Sequence, residues 1–253
     1  MPHVTAIGFS HLQALAAAHD ERRKREALTF SMTPLLVHPP SHPSFEPWFE
    51  YSGSATVYNG RIGEAVADAC ERNGSSLVAL SIWSNQHFLW STVNDPRPFD
   101  FILPAEPTMP CNPAAENIPY DLLNHFMERH FAVHLGLASF LRKFYTVPAV
   151  MLSAPPPIDD LDKIPPVSGG IAAMEQKARE LGLAPPGLRY KFWRLCESIV
   201  LKFCAANGLP FIVPPAESWK NNGFRQPQYW SQDWIHANAD YGDLVLSQIE
   251  TFL

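Results

Sequence analysis

Four residues near the end of the chain, Asp233-Trp234-Ile235-His236, hold a spacing that suits acid–base chemistry. A carboxylate three residues before a histidine can fold back within one turn and accept a hydrogen bond from the imidazole. That bond selects the tautomer and stabilises the imidazolium formed when the ring takes a proton. A histidine held this way can activate a hydroxyl nucleophile. Ser10 offers that hydroxyl. It follows the apolar run Val4-Thr5-Ala6-Ile7-Gly8 and opens the alanine-rich helical pattern Ser10-His11-Leu12-Gln13-Ala14-Leu15-Ala16, so it falls where a helix N-cap belongs. There its backbone N–H and the helix dipole can face a developing oxyanion. Asn85, just beyond the run Leu77 to Trp83, adds a side-chain N–H from a neighbouring strand end. The catalytic candidates are therefore Ser10 as nucleophile, His236 as general base and Asp233 as its orienting group. Ser10 and Asn85 are the oxyanion donors.

Each of these residues also has a plainer reading. Serine is a preferred helix cap, asparagine and aspartate form turns, and a histidine can simply lie on the surface. His130 and His134 are four apart and share a helix face, but Phe131 stands where the H-E-x-x-H metal motif has glutamate. Core or interface packing is the expectation for that pair, and no metal site is expected. His11 and His87 flank the proposed site in sequence, and His87 is taken as a substrate-lining residue. Trp83, Trp90, Trp230 and Trp234 flank the two late blocks. Indole faces can stack on sugar rings, so Trp83 and Trp234 are taken as substrate-binding candidates; core or loop-anchoring aromatics are the alternative.

These residues need a scaffold that brings distant segments together. Val4 to Gly8, a segment near Leu35 to His38, Leu77 to Trp83, Ala149 to Leu152 and Leu209 to Val213 read as strands. Leu77 to Trp83 is apolar almost throughout, as in a strand covered on both faces. Ser54 to Tyr58 is strand-like, and Asn59-Gly60 reads as a turn. Helical periodicity covers Ser10 to about Glu26, Ile62 to Arg72, Tyr120 to Phe144, Ile171 to Leu181, Tyr190 to Asn207 and Tyr241 to Phe252. Residues 94 to 118 hold many prolines and read as a long loop. Alternating strands and helices predict one α/β domain over 1–253: a three-layer α/β/α sandwich around a doubly wound parallel sheet of about five strands. Ligand sites in such sheets lie beyond the carboxyl ends of the strands, which is where Ser10, Asn85 and the last loop fall.

Composition narrows the function classes. Of 253 residues, 46% are hydrophobic and 17% charged, enough apolar material for a sizeable core. The net charge of -6 argues against nucleic acid as the main partner. The one dense basic run, Arg22 to Arg25, is bracketed by Asp20, Glu21 and Glu26 and reads as a solvated helix end. Cys70, Cys111, Cys196 and Cys204 show no C-x-x-C spacing, so zinc and dithiol redox sites are not expected. No run approaches the ~18 apolar residues of a membrane span, and Met1 leads directly into a strand-like segment. The expectation is a cytoplasmic protein without a membrane partner.

The order of these blocks resembles the SGNH (GDSL-type) hydrolase superfamily, named for a serine, a glycine, an asparagine and a histidine carried on separate segments. Gly8-Phe9-Ser10-His11 would be the nucleophile block, Trp83-Ser84-Asn85-Gln86 the asparagine block, and Asp233-Trp234-Ile235-His236 the family's D-x-x-H. The chain departs from the pattern in three places. Phe9 stands where the family has aspartate, Trp83 where it has glycine and Gln86 where it has aspartate. Val93-Asn94-Asp95 keeps an Asn-Asp pair but lies past the strand, so Asn85 is preferred. For the glycine block the choice is Gly60, with Gly53 as the alternative. The resemblance implies a flavodoxin-like fold, no metal or organic cofactor, and hydrolysis of a small-molecule or carbohydrate ester. Acyl transfer to an alcohol, or a non-catalytic carbohydrate-binding or assembly role on the same fold, are the alternatives.

Overall fold

A computed structural model describes residues 1–37, 43–83, 85–160, 163 and 172–253. His38 of the expected second strand, Ser84 of the asparagine block and Ile171 of the expected fifth helix lie outside the described residues. In chain order the elements are β1 (His3–Gly8), α1 (Leu12–Lys24), β2 (Ser31–Leu36), β3 (Phe49–Ser52), β4 (Ala55–Tyr58), α2 (Gly60–Asn73), β5 (Leu77–Ser81), α3 (Gln86–Ser91), β6 (Phe99–Asp100), β7 (Glu116–Asn117), α4 (Tyr120–Leu141), β8 (Ala149–Leu152), α5 (Ala172–Leu181), α6 (Pro186–Ala206), β9 (Phe211–Ile212) and α7 (Ala239–Glu250).

Five strands form one parallel sheet in the order β2-β1-β5-β8-β9. Counted along the chain within that sheet the order is 2-1-3-4-5, the doubly wound arrangement of the flavodoxin type. Its topological switch point lies between β1 and β5. Successive β1 side chains serve opposite faces, as strand geometry demands. Val4 and Ala6 pack with α1 and α7, while Ile7 joins the larger core of α2, α4 and α6. A helix layer on each face of the sheet completes the α/β/α sandwich.

Several boundaries differ from the sequence reading. The second strand begins at Ser31 and contains Pro34. Proline hides a strand signal, yet β2 is an edge strand, where a missing N–H is tolerated. The segment at 54–58 belongs to a separate antiparallel hairpin, β3–β4, turned at Gly53 with φ 63°. The proline-rich stretch 94–118 carries the short parallel pair β6–β7. Asn59 does not make a free turn; its side chain accepts from the Arg61 N–H and caps α2, which starts at Gly60. Arg22 in the basic run is not solvated: it pairs with Asp243 and Glu250 and ties α1 to α7.

Gly8 has a packing reason. The Phe9 N–H donates to the Ser81 carbonyl at 3.0 Å, drawing the ends of β1 and β5 together. A Cβ on Gly8 would lie 2.1 Å from that carbonyl oxygen. Gly8→Ala is therefore expected to destabilise the fold by roughly 3 kcal/mol, the upper end of overpacking costs, as read by urea denaturation. An unchanged midpoint would show that the two strand ends separate freely.

Candidate active site

The switch point places β1 and β5 side by side, so the segments following them emerge together at one end of the sheet. Ser10 lies in the turn after β1, and Asn85 heads α3 after β5. The loop preceding α7 brings Asp233 and His236 to the same end.

The Asp233–His236 pair is formed. His236 Nδ1 and Asp233 Oδ2 are 2.7 Å apart. The other oxygen, Oδ1, accepts from the backbone N–H groups of Ile235 at 2.8 Å and His236 at 2.7 Å. Burial by itself pushes the Asp233 carboxyl up. The hydrogen bond and charge of His236, with the two N–H donors, outweigh burial and hold it at about 2. The far nitrogen of the ring, His236 Nε2, is buried and has no hydrogen-bond partner among the described residues.

The depressed Asp233 carboxyl fixes a pH dependence. Its stabilisation is complete above about pH 5, where an unfolded aspartate is ionised, and is lost as pH falls from about 5 toward 2. The unfolding free-energy gap between wild type and Asp233→Asn is expected to hold steady above about pH 5. It should narrow across the acid window in chemical denaturation series. A gap that stays constant to pH 2 would contradict this account.

Ser10 differs in detail from the expected cap. The Leu12 N–H donates to the Phe9 carbonyl at 3.0 Å, and α1 begins at Leu12 with His11 in the cap position. Ser10 thus sits one residue before the cap, its carbonyl accepting from Gln13. No hydrogen bond joins its hydroxyl to His236. The nearest link is through its neighbour: the His11 and His236 ring centroids are 5.4 Å apart. Phe9, in place of the family's aspartate, packs against Trp48 and His134.

Sequence inspection gave His11 no role beyond adjacency, yet it is central here. It is 5% exposed, and neither ring nitrogen has a partner. Burial, with His236, His87 and Arg225 nearby, holds its pKa well below the usual histidine value, so it stays neutral. Asn85 heads α3 without capping it, and its Oδ1 is buried and unpartnered. In the rival Asn94-Asp95, the Asn94 N–H donates to the Gly182 carbonyl at 2.9 Å, and Asp95 accepts from the Arg97 N–H at 2.8 Å in an Asx turn. Gln86, where the family has aspartate, accepts from the exposed indole of Trp90 at 2.9 Å.

The expected substrate-lining residues are buried. Trp83 packs on Phe131 and His87, and Trp234 packs on Phe88. Neither indole presents a face on which a sugar could stack, because each plane is used in the core. Gly60 is exposed at the head of α2, with nothing within 4 Å of a Cβ position, so no packing ties it to His11 and His236. Gly53 is spent on the hairpin turn. His130 and His134 join different aromatic groups, His130 with Trp90 and Phe126, His134 with Phe9 and Trp48. Among the described residues no three His, Cys, Asp or Glu side chains are grouped to hold a metal, and no helix is long and apolar enough to cross a membrane.

No protein-family model matches this chain, and no curated protein matches it. Solved structures do resemble it. A GDSL-like lipase from Bacteroides thetaiotaomicron shares 14% identity over 99% of this chain and 89% of its own, with a TM-score of 0.45. The periplasmic domain of a lipopolysaccharide acetyltransferase from Salmonella ser. Paratyphi A shares 12% over 99% and 82%, with a TM-score of 0.48. An acetyl xylan esterase shares 10% over 99% of each chain, with a TM-score of 0.42. This chain is thus a five-stranded parallel α/β/α sandwich similar to structures described as a GDSL-like lipase, an acetyltransferase domain and an acetyl xylan esterase.

Proposed function

We propose that this protein is a serine ester hydrolase in which Ser10 attacks the ester carbonyl. His236 takes the Ser10 proton through Nε2 and later returns it to the leaving alcohol. Asp233 holds the His236 ring through Nδ1 and stabilises the imidazolium. The Ser10 N–H and the Asn85 amide bind the tetrahedral oxyanion, with the Gly60 N–H as the remaining candidate donor. The reading rests on one observation above the others: His236 is bound to Asp233 at one nitrogen, while the other is buried and unpartnered.

The surrounding chemistry agrees. His11, Trp83, Asn85 and His236 all carry buried polar atoms without partners. Native interiors rarely leave such atoms unsatisfied, so a group of them marks space for water or substrate. The missing hydrogen bond between Ser10 and His236 does not exclude catalysis, because catalytic hydrogen bonds often tighten only when substrate binds. It does favour, as the second reading, a carbohydrate-binding or assembly protein on the same fold. Incubating the purified protein with p-nitrophenyl esters of increasing acyl length separates the two. Release of p-nitrophenol above the buffer rate is expected, and its absence across the series would leave the binding role. Adding an acceptor alcohol and analysing products distinguishes hydrolysis from acyl transfer.

A further inference from the structure

Beside the Asp233–His236 turn lies a cavity of about 20 Å³, room for one water-sized particle. Arg225, Arg189, Trp234, Ile235, Phe88 and Ile158 form part of its wall. Two of these residues carry N–H groups that donate to no acceptor among the described residues. Arg225 is 1% exposed; its Nη2 donates to the Ile235 carbonyl at 3.2 Å, while Nε and Nη1 are buried without an acceptor. Trp234 is 4% exposed, and its indole Nε1 is likewise buried without an acceptor.

The charge is as unusual as the hydrogen bonding. Burial pushes the Arg225 guanidinium down to about 10, so it remains a cation at neutral pH. The nearby carboxylate, Asp233, is committed to His236 and two backbone N–H groups. A buried cation without a direct counter-ion is costly, and proteins normally pair it. The guanidinium of Arg189, which donates to the carbonyls of Ile158 and Asp159, adds positive charge to the same wall.

A water molecule accepts two hydrogen bonds and must then place two O–H groups. A monatomic anion accepts from all three of these nitrogens, needs no acceptor in return and neutralises the cation. We propose that this cavity binds a chloride ion, held by Arg225 and Trp234. Trp234 and Ile235 are the two residues between Asp233 and His236, so the bound ion would steady the turn that carries this pair. The proposal does not depend on the ester chemistry, and its test needs no substrate.

Melting of the purified protein in sodium chloride is compared with sodium gluconate at equal ionic strength, gluconate being too large for the site. Chloride is expected to raise Tm in a saturable, single-site manner. Trp234→Phe keeps an aromatic ring but removes one donor, and should weaken the chloride dependence about tenfold, as loss of a hydrogen bond to a charged group does. Crystals grown in sodium bromide should show an anomalous peak between Arg225 and Trp234. Equal melting in the two salts, or no bromide peak in the cavity, overturns the proposal and leaves a water molecule as the occupant.

Discussion

Ser10→Ala and His236→Ala are each expected to lower p-nitrophenyl acetate turnover by about 10³-fold or more, with the Tm of Ser10→Ala within a few degrees of wild type. The size of the effect follows from the way the three groups act as a unit. Without the hydroxyl no acyl-enzyme forms. Without the imidazole the hydroxyl stays protonated and is a poor nucleophile. The double variant should be scarcely slower than either single one, because each substitution already removes the shared step. Ser10→Ala removes no hydrogen bond to His236, whereas His236→Ala also gives up the 2.7 Å bond to Asp233 and is therefore compared as folded protein. Wild-type rates in Ser10→Ala would exclude Ser10 as nucleophile. Full activity in Ser10→Ala with loss in His236→Ala would point to a water activated by the Asp233–His236 pair.

Asp100→Ala is expected to cost about 3–5 kcal/mol of folding stability, the range for breaking a buried ion pair from one side. The Lys191 side chain is wholly buried, and its Nζ lies 2.9 Å from Asp100 Oδ1. Its other partners are the Pro110 carbonyl at 3.0 Å and Cys111 Sγ at 3.2 Å. Asp100 also accepts from the backbone N–H groups of Phe101 and Asn112, each at 2.8 Å. Removing the carboxylate leaves an ammonium in the interior and two amides without acceptors. Lys191→Met alone should be destabilising too, since it strands the carboxylate. Combining Lys191→Met with Asp100→Asn should recover part of the loss, because neither buried charge then remains and the asparagine oxygen still accepts an N–H. Urea denaturation of wild type, Asp100→Asn, Lys191→Met and the double variant gives the coupling directly. Additive losses would show that the two residues stabilise separately and that the pair does not anchor the 99–117 segment to α6.

The pattern along the chain was sufficient for the layers of this fold. Apolar runs such as Leu77 to Ser81, buried on both faces, and helical stretches such as Leu12 to Lys24 follow local periodicity, which sequence carries residue by residue. The Asp233–His236 bond was legible for the same reason: three residues of spacing fix a one-turn geometry. What sequence did not reveal depends on contacts between distant segments. An edge position lets β2 keep Pro34. Burial of the indole planes takes Trp83 and Trp234 out of reach of a stacking sugar. His11 shows no motif, and only the approach of the last loop to the end of β1 brings its ring against His236. Arg225 is one arginine in a polar loop until packing isolates its charge from water, which is a property of tertiary structure and has no local signature.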